Sequence, residues 1–336
     1  MKLERPHINI KSIDAMRVIA ILAVVLIHTT TRTLEATHYA LTGYSWTLFF
    51  NQISRFAVPL FFLISGFVLE LCSEHEINYL TFLKKRFTKI FIPYIFWSLI
   101  YYFFVYTNNH DNLVRVILTG NASYQLYFIP TLCIFYMVFP LFHKIYKFIA
   151  HPLILISFGA LQFWFLYQDY FIKHAGFDSP QRIATLSFFV FLLGMIAARN
   201  KNRLLEFAKK WKYFLAGAAG YAGYYIFTEG KNLYYQIYNI GAIYSQYRPS
   251  VFVYTILIGL LFFYVFRNVN LKKLSVLSYF VFFIHVTILE NVWRLFSKFV
   301  SPNPFFDITF FLTISATSFL IAFLAHKIPH LSKLTG

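Results

Sequence analysis

Asp14, Arg17 and His28 interrupt an otherwise apolar stretch near the N-terminus, which reads IDAMRVIAILAVVLIHTTT over residues 13–31. Arg17 and His28 are eleven residues apart, only about 20° from three full helical turns, so they share one face about 16 Å apart along the axis. Asp14 precedes Arg17 by three residues, a spacing at which two side chains can pair. His28 can gain or lose a proton near neutral pH, because the reference pKa of histidine is about 6.5. The pattern therefore suits acid–base chemistry.

Two other interpretations of these residues stay open. An arginine inside the bilayer costs about 2.5–3.5 kcal/mol on insertion scales, so Arg17 requires a partner, a polar cavity or a position at the interface. Asp14 and Arg17 can lie at the membrane interface, where the arginine side chain snorkels towards water. A lone histidine such as His28 can also be a packing residue whose ring is hydrogen-bonded.

A basic cluster reads KKRFTK over residues 84–89. Arg86 and Lys89 are three residues apart and share a helix face, while Lys85 lies beside them. Such a cation pair can bind a phosphate-bearing ligand if it opens towards the interior of a helix bundle. The alternative is a topology signal that contacts anionic lipid.

Further polar side chains occur in later apolar segments. His285 and Glu290 lie within LSYFVFFIHVTILENVW and are five residues apart, so they do not share a helix face. Ionisable groups inside a membrane segment favour a functional role, although His285 can equally be a packing residue. In the second apolar segment, Pro59, Ser65 and Gly66 are expected to interrupt the helix. Small residues there also favour close helix packing.

The composition is typical of an integral membrane protein. Of the 336 residues, 59% are hydrophobic and 13% are charged, and the mean hydropathy is +0.59. A soluble domain could not cover so much apolar surface. A helix needs about 20 apolar residues to cross the bilayer. We therefore predict an all-α, polytopic membrane protein that forms one domain over residues 1–336, with ten spans: 13–33, 48–70, 88–106, 125–142, 152–170, 183–198, 212–228, 250–266, 275–296 and 307–325.

Lysine and arginine residues predict the orientation of the chain. With the N-terminus in the cytoplasm, the segments 84–89 and 199–212 and most other basic residues face the cytoplasm, so the positive-inside rule favours both termini there. The net charge of +17 follows from this asymmetry and from contact with anionic lipid. Because the basic residues are spread over separate loops, nucleic acid is a poor partner. The two cysteines, Cys72 and Cys133, suggest neither a disulfide framework nor a metal site.

Motifs in the first two spans match a known family. Asp14, Arg17 and Ala20 form D-x-x-R-x-x-A, and His28 follows eleven residues after the arginine. Residues 59–67 read PLFFLISGF. In these elements the chain resembles the acyltransferase-3 family of integral membrane O-acyltransferases. Through IHTTT and SRFAVPLFFLISG it is similar to the enterobacterial-common-antigen O-acetyltransferase type within that family.

Weaker elements of the same family follow in order along the chain. Arg86 and Lys89 correspond to a basic R-x-x-R, residues 124–130 (YQLYFIP) to an aromatic element, and residues 277–285 (LSYFVFFIH) to a late element that ends in histidine. Two departures are present. Lys89 stands in place of the second arginine, which keeps the charge but loses bidentate phosphate geometry. YQLYFIP has Gln and Tyr where the family has His and Trp, so no role is assigned to either.

The resemblance implies an activity and a set of site residues. The reaction is transfer of an acyl group, usually acetyl, from cytosolic acyl-CoA to a hydroxyl of a surface carbohydrate or its lipid-linked precursor, at a bacterial plasma membrane. No permanently bound cofactor or metal is expected. The implied catalytic residues are His28, Arg17 and Asp14, the donor-binding residues are Arg86, Lys89 and Lys85, and a possible further site comprises His285, Glu290 and Ser65. His28 would act as a base or as a covalent acyl carrier.

A second function stays open at this point. A ten-helix protein with buried His, Arg and Glu side chains can be a transporter or flippase of a surface glycan, with these groups as a proton relay. No convincing inverted repeat is visible in the sequence, and the N-terminal motif disfavours this alternative.

Overall fold

The computed structural model describes residues 10–36, 45–73, 77–106, 111–173, 180–234, 240–300 and 303–328. Every regular element within these ranges is a helix, which confirms the all-α prediction. The α-helices, in chain order, are α1 (Lys11–Ala36), α2 (Ser45–Ile53), α3 (Ala57–Leu71), α4 (Tyr79–Ile100), α5 (Leu113–Thr119), α6 (Phe128–Lys144), α7 (Tyr146–Ile149), α8 (Pro152–Tyr167), α9 (Pro180–Thr185), α10 (Phe188–Arg199), α11 (Lys201–Lys210), α12 (Lys212–Asn232), α13 (Ile240–Tyr244), α14 (Pro249–Val265), α15 (Lys272–Phe296) and α16 (Pro304–His326). Short helical turns of other types are Tyr101–Val105, Gln168–Lys173 and Ser297–Phe299.

Within these described ranges, six helical segments are long and apolar enough to cross a membrane. They are Lys11–Ala36, Trp46–Leu71, Tyr79–Val105, Gly241–Val265, Lys272–Phe299 and Pro304–His326. The corresponding predicted spans are 13–33, 48–70, 88–106, 250–266, 275–296 and 307–325. The other four predicted spans coincide with α6, α8, α10 and α12, of which the first three are shorter and α12 is long enough but less apolar. The count of ten spans stays a prediction, as does the cytoplasmic position of both termini, which lie outside the described residues.

Helix α1 lies among other helices rather than at the edge of the bundle. It packs against α2, α3, α14, α15 and α16. More than half of its residues are buried, and seven of them belong to one core cluster with side chains of α3 and α15. Its polar side chains therefore face protein and internal cavities, where partners and water are available, which offsets the cost of placing them in lipid.

The second predicted span is broken, but not at the positions that the sequence suggested. Helix α2 ends before a turn at residues 54–56, and α3 then runs unbroken through Ser65 and Gly66. Pro59 lies in the first turn of α3, where a missing N–H leaves no helical hydrogen bond unmade. Ser65 donates to the carbonyl oxygen of Phe61 at 2.7 Å and so remains compatible with a regular helix. The break instead leaves Arg55 between the two helices.

Two glycines bring α3 and α10 into close contact. A Cβ atom added at Gly66 would overlap the carbonyl oxygen of Phe191, and one added at Gly194 would overlap the carbonyl oxygen of Leu63. The contacts are reciprocal, since each glycine faces the backbone of the opposite helix. The expectation of close packing at Gly66 is therefore confirmed, as for small residues in membrane helices generally.

Replacing Gly66 or Gly194 with alanine is expected to lower the stability of the protein by about 1–3 kcal/mol, because the added methyl group forces the two backbones apart. The measurement is the midpoint of thermal unfolding in detergent. Gly217→Ala in α12 is the control, since a Cβ atom there meets open space. That control should be neutral or more stable by up to about 1 kcal/mol. Equal midpoints for Gly66→Ala and Gly217→Ala would contradict the assignment.

Candidate active site

His28 lines a cavity of about 300 Å³ between α1, α3 and α15, which we name the His28 cavity. The imidazole is half-buried. Its ring centroid lies 4.7 Å from that of Tyr124 and 5.4 Å from that of His285. The non-aromatic polar residues that line the cavity with it are Thr31, Arg32, Glu35, Arg55, Gln125 and Gln246. The histidine predicted from the sequence therefore faces an internal space rather than lipid.

His285 stacks on His28 from α15. Its side chain is fully buried, and Nδ1 lies 2.9 Å from the carbonyl oxygen of Val281. A carbonyl oxygen only accepts, so Nδ1 carries the proton and the neutral ring presents Nε2 as an acceptor. In the part of the chain that the structure describes, this Nε2 has no hydrogen-bond partner. His285 thus contributes an aromatic contact to His28 together with an unused acceptor.

Glu290 reaches the same region through Arg32. Arg32 follows His28 by one helical turn and forms an ion pair with Glu290 of α15. It also pairs with Glu35 at 3.4 Å, and the hydroxyl of Tyr106 donates to Glu290 at 3.2 Å. His285 and Glu290 do not share a face of α15, but both contact α1. His285 contacts His28, and Glu290 contacts Arg32, which lies one turn later on α1.

Arg55 also lines the His28 cavity, from the break between α2 and α3. The residue is 3% exposed. Its guanidinium donates to Oδ1 of Asn51 and, at 2.5 Å, to the carbonyl oxygen of Tyr244. Asn51 in turn donates at 3.0 Å to the hydroxyl groups of Thr30 and Thr31, two and three residues after His28 on α1. Arg55 is therefore tied to the segment that carries His28.

A second cavity of about 330 Å³ holds the predicted cation cluster, and we name it the Arg86 cavity. Arg17 of α1 and Arg86 and Lys89 of α4 line it together. Lys85 is exposed and does not belong to the lining. The structure thus brings three predicted cations to one cavity and leaves the fourth, Lys85, outside it.

Asp14 lies next to this cavity, in contact with one of the serines that line it. The carboxylate of Asp14 lies 3.7 Å from Nη1 of Arg17, so the predicted pair is formed. Ser275 of α15 donates to Asp14 at 2.7 Å, and both Ser275 and Ser65 line the cavity. Asp14 therefore forms an ion pair with Arg17 and, through its hydrogen bond with Ser275, connects α1 to α15.

Three phenylalanine rings belong to both cavities. Phe61, Phe128 and Phe282 line the His28 cavity and also the Arg86 cavity. The ring centroids of Phe61 and Phe128 are 5.9 Å apart, and those of Phe128 and Phe282 are 5.7 Å apart. The two cavities therefore adjoin, with an aromatic partition between them.

Sequence reasoning gave no role to Arg32 or Arg55, both of which line the His28 cavity. Arg32 carried a signal, since it follows His28 by four residues and so shares its helix face. Arg55 could have been found because it is a charged residue inside a predicted span, and such residues are usually functional. Tyr244 and Gln246 come from a segment distant in sequence, and no local pattern marks them as neighbours of α1.

Comparisons with known proteins identify the family of the chain. The family model described as an acyltransferase domain matches residues 10–327, which is nearly the whole chain. A Bacillus subtilis (strain 168) protein named "Putative membrane-bound acyltransferase YfiQ" is 26% identical over 285 residues, covering 78% of this chain and 75% of its own length. No solved structure matches the chain significantly. The chain belongs to the acyltransferase-3 family of membrane acyltransferases.

Proposed function

We propose that this membrane acyltransferase moves an acetyl group from cytosolic acetyl-CoA to a hydroxyl of a cell-surface carbohydrate or its lipid-linked precursor, at a bacterial plasma membrane. One observation carries the proposal. A cavity with three cations adjoins a cavity with a histidine, and a single helix, α1, contributes to both. A donor with phosphates at one end and a thioester at the other suits such a pair of cavities.

The donor would enter at the Arg86 cavity. Arg86, Lys89 and Arg17 supply positive charge for the phosphates of CoA, and Arg and Lys both bind phosphate well. The positive-inside rule favours the cytoplasm for this end of α4, which is where CoA is available. The pantetheine arm would then run past the aromatic partition towards His28. Because Arg17 lies about 16 Å from His28 along α1, the geometry favours donor orientation over oxyanion stabilisation as its role.

His28 would act as the base in the transfer step. Its neutral imidazole takes the proton of the acceptor hydroxyl while the oxygen attacks the thioester carbon. The carbon–sulfur bond breaks, CoA leaves as a thiolate, and the proton on His28 neutralises that thiolate. In the covalent variant, an imidazole nitrogen attacks the thioester carbon and CoA leaves as a thiolate. The acceptor hydroxyl then attacks the acyl-imidazole, the carbon–nitrogen bond breaks, and the hydroxyl proton passes to the thiolate. Arg32, one turn from His28, is positioned to stabilise negative charge on the thioester oxygen.

Purified protein incubated with acetyl-labelled acetyl-CoA tests the proposal. Label should appear on a glycan or lipid-linked sugar extracted from the native membrane, and CoA should be released in equal amount. A protein that moves glycans across the membrane without chemistry would leave the thioester intact. Unchanged acetyl-CoA in the presence of native acceptor extract would therefore contradict the proposed function.

The aromatic partition gives a separate prediction. Phe282→Trp adds bulk where the two cavities meet, so it should hinder the pantetheine arm and slow transfer by about 10- to 100-fold, as expected when a reacting group is displaced by about 1 Å. Turnover at saturating acetyl-CoA is the measurement. The control is Phe323→Trp on α16, where the native ring is 47% exposed and lies in neither cavity. If Phe282→Trp turns over at the wild-type rate, the donor does not cross this partition.

A further inference from the structure

Arg55 differs from the buried Arg248 and the half-buried Arg32 in the kind of partner that it has. Arg248 is completely buried and pairs with Glu229 at 3.1 Å, and Arg32 pairs with Glu290 and Glu35. Within the part of the chain that the structure describes, Arg55 bonds only to neutral groups, an amide oxygen and a backbone carbonyl, and its ring contact is with neutral Tyr244. Its Nε atom is buried and has no hydrogen-bond partner there.

A buried cation with neutral partners alone is costly. The guanidinium remains protonated in proteins, and the effective penalty for removing an ion from water is several kcal/mol unless an opposite charge lies nearby. Two hydrogen bonds to neutral oxygens recover only part of this penalty. Among the described residues, Glu35 is the one carboxylate that lines the cavity, and it already pairs with Arg32. A ligand that brings a negative charge into the His28 cavity would supply the opposite charge that the described residues do not place beside Arg55.

We propose that the His28 cavity is the acceptor site and that Arg55 binds an anionic group, a carboxylate or a phosphate, of the acceptor. This inference rests on the proposed acyl transfer, and it specifies the chemical class of the acceptor. The cavity volume of about 300 Å³ lies at the lower end of the range for small-molecule sites. Gln246, which donates to the hydroxyl of Tyr127 on the same wall, is a neutral group suited to sugar hydroxyls.

The connection through Asn51 explains how charge recognition would serve the reaction. Asn51 accepts from Arg55 and donates to the hydroxyl groups of Thr30 and Thr31. These hydrogen bonds fix the position of Arg55 relative to the turn of α1 that contains His28. An acceptor fixed by its charge at Arg55 would present its hydroxyl to His28 with little freedom, and such orientation is a large contribution to catalysis.

The anionic group has two chemical sources that experiment can separate. One is the carboxylate of an acidic sugar, and the other is the diphosphate of a lipid-linked precursor. Sodium glucuronate, inorganic diphosphate and glucose serve as probes, each added to purified protein in detergent at equal ionic strength. The readout is the midpoint of thermal unfolding. At least one of the two anions should raise the midpoint, whereas glucose should not.

Variants then locate the anion. In Arg55→Gln the stabilisation by the anion should disappear, with apparent affinity at least tenfold weaker. Arg86→Gln separates the two cavities, because diphosphate bound only at the Arg86 cavity would lose its effect in this variant and keep it in Arg55→Gln. Asn51→Asp provides a second route if Arg55→Gln fails to fold. Its carboxylate neutralises Arg55 internally, while the hydrogen bonds that the Asn51 amide donates to α1 are lost. The variant should therefore gain nothing from the anion.

Each outcome is decisive for the inference. A shift with glucuronate alone indicates an acidic sugar, and a shift with diphosphate alone that survives Arg86→Gln indicates a lipid-linked diphosphate. The inference is overturned if neither anion stabilises the wild-type protein more than glucose. It is also overturned if the shift persists in both Arg55→Gln and Asn51→Asp. Transfer of labelled acetyl to the native acceptor at the wild-type rate by Arg55→Gln would overturn it while leaving the proposed function intact.

Discussion

Replacing His28 with alanine is expected to slow acetyl transfer by about 10²–10⁴-fold, the usual effect of losing a positioned acid–base group. The ring lies on the wall of an internal cavity, between Tyr124 and His285, and within the described residues it takes part in no ion pair or hydrogen bond that holds the fold. The loss should therefore appear in turnover rather than in folding. Initial rates with purified protein at saturating donor measure it.

A control and a labelling experiment sharpen this prediction. His151→Ala removes an exposed histidine at the start of α8 and should keep wild-type turnover. If His28 is a covalent carrier, protein incubated with labelled acetyl-CoA and no acceptor should retain label in the wild type and none in His28→Ala. If His28 is only a base, neither protein retains label. Near-normal turnover by folded His28→Ala protein would exclude both roles.

The sequence predicts the face of α1 well, because helical spacing is a local property. Asp14 and Arg17 pair as expected, and His28 lies on the wall of a cavity. The same spacing rule indicates Arg32, one turn after His28. What spacing does not provide is the neighbour of each residue. His285 meets His28 because α15 packs along α1, and that packing depends on the shapes of both helices.

The second span illustrates the limit of local signals. Proline and glycine are general helix breakers, which favours an interruption at Pro59 or Gly66. In the structure Pro59 is harmless because it lies in the first turn of α3, and Gly66 serves contact with α10. The actual break surrounds Arg55, whose hydrogen bonds to Asn51 and Tyr244 are not visible in the sequence. Tertiary contacts therefore decide where this span is broken.

For the cation cluster, too, the sequence shows which residues are basic, and only the structure shows which of them line a cavity. Residues 84–89 contain four basic side chains, and the sequence cannot tell which of them face the bundle. The structure directs Arg86 and Lys89 into a cavity with Arg17 and leaves Lys85 exposed outside its lining. Adjacent cations in one helix thus have different surroundings, which makes them a matched pair for testing whether the cluster binds a donor or only orients the chain.

Arg86→Glu should raise the apparent KM for acetyl-CoA by about 10- to 100-fold, because a charge-assisted hydrogen bond worth about 1.5–3 kcal/mol is lost and repulsion of phosphate replaces it. Lys85→Glu makes the same change in charge one residue away, outside the cavity, and should have a much smaller effect. Lys89→Arg should be mild or should tighten binding, since a guanidinium contacts phosphate with two parallel hydrogen bonds. These effects should fall on the donor KM, whereas those of His28 fall on turnover.

Titration of CoA against the purified variants measures binding directly. If Arg86→Glu and Lys85→Glu weaken binding equally, then the cluster acts only through its overall charge. If Arg86→Glu binds CoA as the wild type does, then the donor does not enter at the Arg86 cavity.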